Sequence, residues 1–192
     1  MRARITRLAC ALAASAAVLA PEGASARDVA LREDRSVYLQ LDAFGSLLND
    51  AVGGSNITIS AGYGGRAGWR RGMIGFYAEF SRDHWLLTEV ETELEQGVLC
   101  LGAGAEMLFA KERLRISAAG GSSTLLFDTA FHDRGTTGFY IDLRPASLRF
   151  HPAPRLVVEL TPIGFTLLSP AVGEVSIRRI EYRTTLTLEV PL

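Results

Sequence analysis

The sequence is poor in cysteine, in long apolar segments and in net charge. It contains 2 cysteines, Cys10 and Cys100, and its 20 basic residues nearly balance its 21 acidic residues. A chain this close to neutral lacks the basic excess that is typical of nucleic-acid binding, so we expect no nucleic-acid partner. Beyond residue 26, no apolar run reaches the roughly 18 residues that indicate a transmembrane helix.

The first 26 residues have the pattern of a secretory signal peptide. Arg2, Arg4 and Arg7 precede an apolar stretch from Leu8 to Ala20, and Ala24-Ser25-Ala26 is a small-residue cleavage site. The apolar stretch is shorter than the about 20 residues that span a bilayer as a helix. We therefore predict a cleaved signal peptide over residues 1–26 and one domain over residues 27–192. That domain keeps a single cysteine, which excludes an internal disulfide.

The remaining chain shows period-2 alternation of apolar and polar residues, which is the pattern of β-strands. A phase slip at Pro145 predicts a bulge in the sixth strand, and Pro162 predicts an irregularity in the seventh. The eight predicted strands lie near Val37–Gly45, Asn56–Gly68, Met73–Arg82, Gly97–Phe109, Arg113–Leu125, Gly138–Phe150, Arg155–Phe165 and Ile180–Leu192.

The connections between these strands alternate between long and short. The short ones are Trp69–Gly72, Ala110–Glu112 and His151–Pro154, and the long ones are Ser46–Ser55, Asp83–Gln96, Phe127–Thr137 and Thr166–Arg178. In an up-and-down barrel, odd and even connections lie at opposite ends. The pattern therefore predicts an all-β, eight-stranded antiparallel barrel with tight turns at one end and long loops at the other, as in outer-membrane barrels.

With this topology the chain resembles the small eight-stranded bacterial outer-membrane β-barrel proteins. The resemblance covers the whole of residues 27–192 and rests on topology rather than on a motif. It implies a bacterial outer-membrane location, with outer-membrane lipid, lipopolysaccharide, the barrel-assembly machinery and an unidentified extracellular molecule as partners. The last strand keeps the alternation of that family but ends on Leu192 after Pro191, where the family usually has a terminal aromatic residue.

The polar face of the strands carries charges of both signs, which allows them to pair inside a narrow lumen. Gly75, Gly102 and Gly104 on the same face would relieve crowding there. We therefore predict a closed, salt-bridged interior and an apolar exterior. The predicted lumen network consists of Asp42, Glu79, Glu106, Arg115, Asp142, Arg144, Glu159, Glu181 and Arg183.

A second acidic pattern is a ladder of glutamates at every second position, before the fourth strand. On an extended strand these carboxylates would share one edge, where they could contact divalent cations or the cell surface. The ladder consists of Glu89, Glu91, Glu93 and Glu95.

No catalytic motif is apparent, and we predict no cofactor. The long loops gather polar residues that include Asp83, His84 and His132, but neither histidine is followed by the His-x-Ser signature of lipid A deacylases. A structural or surface-interaction role is the leading hypothesis. The alternatives are a soluble periplasmic or secreted barrel that binds a small apolar ligand and a lipid A-modifying membrane enzyme.

Overall fold

The described part of the chain is a closed β-barrel. The computed structural model describes residues 36–50, 57–87, 95–127, 137–153, 155–169, 171–172, 175–176 and 179–192. The predicted signal peptide lies outside these residues. No apolar helix long enough to span a bilayer occurs in the described ranges.

Eight long strands form the barrel, and all of them pair in an antiparallel manner. Each pairs with its neighbour along the chain, and the first strand closes the barrel by pairing with the last, so the predicted up-and-down architecture is confirmed. The barrel strands are β1 (Ser36–Asp50), β2 (Ile57–Arg71), β3 (Ile74–Leu87), β4 (Glu95–Phe109), β5 (Leu114–Phe127), β6 (Thr137–Ala153), β7 (Leu156–Ser169) and β10 (Arg179–Pro191). A separate two-stranded pair, β8 (Ala171–Val172) and β9 (Val175–Ser176), lies between β7 and β10 in sequence.

Several strands are longer than the alternation predicted. They span 13 to 17 residues, whereas about 9–11 residues cross the hydrocarbon core of a membrane when tilted. Asp83 and His84, which we had placed in a long loop, lie in β3, where they pair with β4 residues Val98 and Gly97. The first and third predicted short turns are also wrong in part, because β2 continues to Arg71 and β6 continues to Ala153. Asp83, His84 and His151 are polar or charged, which favours a loop in the sequence, but in the structure they continue the paired strands.

The two proline-associated irregularities are present. In β6, Pro145 and Ala146 are consecutive exposed residues, and the register with β7 shifts between Leu143 and Ala146. In β7, Pro162 and Ile163 are both exposed, and the register with β10 shifts there. Proline cannot donate a backbone hydrogen bond to the ladder, so each bulge places it where no donor is required.

The apolar face of the strands points outward. Leu41 is 67% exposed and Phe76 is 57% exposed, whereas their strand neighbours Asp42 and Tyr77 are buried. A soluble monomer rarely exposes contiguous apolar surface beyond a few hundred Å². This barrel exposes such side chains on every strand, which is the surface of a protein surrounded by lipid.

Inside the barrel, aromatic side chains lie over glycines of the neighbouring strand. Tyr38 pairs with Gly68, Phe44 with Gly62 and Tyr77 with Gly104 in the strand register. A Cβ atom on any of these glycines would overlap the facing ring. The glycines therefore provide the space in which the rings fit, and the rings cover the exposed glycine backbone.

We predict that Gly104→Ala destabilises the barrel by about 1–3 kcal/mol, the usual cost of overpacking. Its new methyl group would meet the Ala118 carbonyl oxygen on the next strand as well as the Tyr77 ring. Gly45→Ala is the matched control, because a Cβ there has no atom within 4 Å. Urea unfolding in detergent micelles, followed by tryptophan fluorescence, measures both. Equal stability of the two variants would show that the Tyr77 ring and the Ala118 carbonyl group both move aside without cost.

Candidate functional site

The inner wall of the barrel is densely charged. Because strand side chains alternate between the two faces, every second residue of each strand points inward. The charged side chains that are buried, or nearly so, on the inner wall of the described strands are Asp42, Arg66, Arg70, Glu79, Asp83, Glu106, Arg115, Asp142, Arg144, Arg149, Glu159, Glu181, Arg183 and Glu189. The fully buried charges among them include Arg115, Glu159 and Glu181, each with 0% exposure.

Near the tight turns, three arginines and three glutamates alternate in a closed ring of ion pairs. This turn-side ring consists, in order, of Arg70, Glu106, Arg115, Glu159, Arg149 and Glu189. Its N–O distances are 2.6 to 3.5 Å, apart from the closer contact between Arg70 and Glu106. The members come from six strands, β2, β4, β5, β7, β6 and β10, so the ring connects strands that are not adjacent in the sheet.

The ring balances its own charge. Each arginine contacts two carboxylates, and each carboxylate contacts two arginines. Gln40 donates a further hydrogen bond to Glu189 at 2.6 Å, and the Arg70 guanidinium lies 3.9 Å from the centre of the Tyr38 ring. Buried charges are tolerated when they are paired, and every charge of the ring has two partners of opposite sign. Arg115 and Glu159 make these contacts as ion pairs rather than as hydrogen bonds.

The turn that joins β4 and β5 contacts the ring from outside. Glu112 is exposed in this turn, 3.9 Å from Arg149 and 3.8 Å from His151 of β6. A hydrogen bond with His151 holds the pKa of Glu112 below its usual range. Ala110, Lys111 and Glu112 all have left-handed backbone conformations, with φ between 50° and 65°.

A second group of charges fills the barrel between the ring and the loop end. This loop-side network consists of Arg66, Arg144, Arg183, Asp42, Glu79, Asp83, Asp142 and Glu181. Arg66 bridges Asp42 at 2.9 Å and Glu79 at 3.3 Å. Arg183 bridges Asp83 at 2.7 Å and Glu181 at 2.6 Å. The network has three arginines and five carboxylates, so it is acidic by two charges when all are ionised.

Neutral donors supplement the arginines in the loop-side network. Tyr140 donates to Glu79 at 2.8 Å, Thr187 to Asp42 at 2.6 Å and Thr166 to Asp142 at 2.5 Å. Ser60 donates to Glu181 at 3.1 Å, in addition to the ion pair of Glu181 with Arg183. Hydroxyl groups therefore add hydrogen bonds both to Glu79, which has one arginine partner, and to Asp42 and Asp142, which have two.

The structure places every member of the predicted lumen network on the inner wall, and it divides them between two groups. Glu106, Arg115 and Glu159 lie in the turn-side ring, and the other predicted members lie in the loop-side network. Five inward charges lie outside the predicted network. Glu189 continues the alternation of the last strand. Arg66 and Arg70 lie in a Gly-rich segment that hides the alternation, Arg149 follows the β6 bulge, and Asp83 lies where the sequence predicts a loop.

The other predicted surface residues do not form a described cluster. Glu89, Glu91 and Glu93 lie outside the described residues, as does His132, and of Glu95 only the backbone in β4 is described. Asp83 and His84 are consecutive strand residues, so Asp83 points into the lumen and His84 points outward. Within the described ranges, no group of side chains is arranged to hold a metal ion.

The barrel is similar to solved outer-membrane proteins. Neisserial surface protein A has a TM-score of 0.61 and 15% sequence identity, and the match covers 82% of this chain and 99% of that chain. Ail, the attachment invasion locus protein of Yersinia pestis, solved in complex with the heparin analogue sucrose octasulfate, has a TM-score of 0.50 and 12% identity, covering 83% and 99%. The fold is that of these small outer-membrane barrels. No protein-family model matches the chain, and no curated protein matches it.

We predict that Glu106→Leu lowers the free energy of unfolding by about 3–5 kcal/mol, because it leaves Arg70 and Arg115 each short of one buried partner. Glu112→Leu is the control, since an exposed ion pair contributes at most about 1 kcal/mol. Urea unfolding of both variants in the same micelles makes the comparison. If the two variants lose equal stability, the ring is not a unit of buried charge pairs.

Proposed function

We propose that this protein is a bacterial outer-membrane barrel with a closed lumen, whose role is structural or is exercised through its loops at the cell surface. The observation that carries the proposal is the reversed polarity of the barrel wall, with charged residues inside and apolar residues outside. The predicted export by a signal peptide over residues 1–26 agrees with that destination.

The polarity of the wall argues against the soluble alternative. A soluble barrel that binds an apolar ligand needs apolar residues inside and polar residues outside. In the described strands, Ile163 is 55% exposed and Phe150 is 53% exposed, while Arg115 and Glu159 are fully buried. Apolar burial is favourable by about 25 cal/mol per Å², so such a surface is more stable against lipid than against water.

The turn-side ring supports a closed lumen. An eight-stranded barrel leaves an interior that side chains can fill. The six side chains of the ring are each at most 7% exposed, so they are shielded from water at the turn end. We infer that ions do not pass this level of the barrel.

The separation of Asp83 from His84 supports a role without catalysis. An acid and a base that act together must lie within hydrogen-bonding distance of each other or of the same reacting group. These two side chains lie on opposite sides of the barrel wall, and Asp83 forms an ion pair with Arg183 at 2.7 Å.

The proposed partners follow from the membrane placement. They are outer-membrane lipid and lipopolysaccharide at the wall, the assembly machinery during insertion and an extracellular molecule at the loops.

Two measurements test the proposal. In a Gram-negative host, we expect the processed protein in the outer-membrane fraction, with faster gel migration before heating than after, because the barrel stays folded in detergent. In planar bilayers, we expect no stable conductance steps under conditions in which a general porin gives them.

The two expectations fail separately. Recovery of the folded protein from the soluble fraction without detergent would disprove the membrane placement. Stable conductance steps from a membrane-inserted barrel would disprove the closed lumen but leave the placement intact.

A further inference from the structure

The outward face of the barrel has very few ionisable side chains. Along the described strands, the outward positions are occupied mainly by aliphatic, aromatic and small residues. The exceptions with a basic side chain are Arg71, at the last position of β2 beside the turn, and Arg82 and His84, both on β3. Arg82 and His84 therefore form an isolated basic pair on an otherwise apolar surface.

The orientation of Arg82 follows from the register of β3. Phe80 is 42% exposed on the outer face and Asp83 is buried inside. Pairing is continuous through this segment, with Arg82 opposite Tyr63 of β2 and Leu99 of β4. Without a bulge between residues 80 and 84, Arg82 must share the outer face with Phe80 and His84.

The height of this pair places it at the edge of the membrane. Strands rise about 3.3 Å per residue and tilt by about 40° in such barrels, which gives about 2.5 Å per residue along the barrel axis. Arg82 then lies about 20 Å, and His84 about 25 Å, from Ile74 at the turn end. The apolar band of these barrels is about 25 Å tall, so both side chains reach the headgroup level on the loop side.

Arg82 has no anionic partner in the described part of the protein. Each lumen-facing arginine of the two groups lies within 4.0 Å of at least one carboxylate. Arg82 has no such contact there, and its Nε atom is buried without a hydrogen-bond acceptor. A buried guanidinium donor in an apolar setting is costly unless an acceptor comes from outside the chain.

Two more donors lie beside Arg82. Tyr63 is 49% exposed on the same face, and its ring stacks on that of His84 with centroids 6.1 Å apart. His84 is two positions along the strand from Arg82, a distance of about 6.6 Å. A guanidinium, an imidazole and a phenol thus point into the same region of the lipid interface.

We propose that Arg82, together with His84 and Tyr63, binds a phosphate group of an outer-leaflet lipid headgroup, such as the phosphate of lipid A. A planar guanidinium binds phosphate in a bidentate manner, and the two neighbouring side chains can donate to the remaining oxygens. This assignment rests on the proposed membrane placement, and it gives the lipid partner a specific location on β2 and β3.

Native mass spectrometry of the full-length processed barrel tests the assignment. The wild-type protein and Arg82→Gln are titrated with bis-phosphorylated lipid A, with dephosphorylated lipid A and with inorganic phosphate alone. We expect the wild type to bind phosphorylated lipid A at least about tenfold more tightly than Arg82→Gln does, the effect of losing a charge-assisted hydrogen bond. Arg71→Gln, which removes an outward arginine at the opposite rim, is expected to bind like the wild type.

Three results would overturn the assignment: equal binding by Arg82→Gln and the wild type, equal binding of dephosphorylated lipid A, or binding of inorganic phosphate as tightly as the lipid. Arg82→Lys, which keeps the charge without the planar fork, should retain part of the affinity and so separates binding from misfolding. A barrel that fractionates with the outer membrane but does not bind lipid A would contradict this assignment and leave the proposed function standing.

Discussion

The structure depends on one constraint: a charge inside an eight-stranded barrel must meet a countercharge, because there is little water to solvate it. Arginine suits this task, since its planar fork can contact two carboxylates at once. Arg115 does so with Glu106 and Glu159. The sequence contains one lysine, Lys111, and it lies in a turn. The interior cations are therefore arginines, and the closed turn-side ring is the arrangement in which every one of its charges is paired twice.

The second constraint is the limited volume of the lumen, and glycines provide room for the large side chains. The ring and the loop-side network contain large side chains, and the lumen must also hold buried tyrosines such as Tyr38 and Tyr77. These rings fit because Gly68 and Gly104 lie opposite them in the register. The Gly-rich segments of β2 and β4 are thus required by the filled interior, and the glycines of β2 also obscure the alternation around Arg66 and Arg70.

Alternation in the sequence was sufficient to predict the strand number, the barrel topology and the direction in which most side chains point. It failed where a strand continues into residues that resemble a loop, as at Asp83 and His84, or where glycines obscure the alternation, as around Arg66 and Arg70. Individual ion pairs could not be predicted, because alternation fixes the face of a residue but not its height. Arg70 and Glu189 meet across 119 positions of sequence, and only barrel closure sets their level.

The two faces of β3 show how a strand separates neighbouring residues of opposite charge. Arg82 and Asp83 are adjacent in sequence and opposite in sign, and in a flexible loop they would be free to neutralise each other. In the strand, Asp83 faces Arg183 inside the lumen, and Arg82 faces outward where the chain offers no anion in its described part. Arg82, which lies on the outer face at headgroup height, therefore lacks the countercharge that the interior arginines have. An outer-leaflet phosphate is the anion that the membrane can bring to that position.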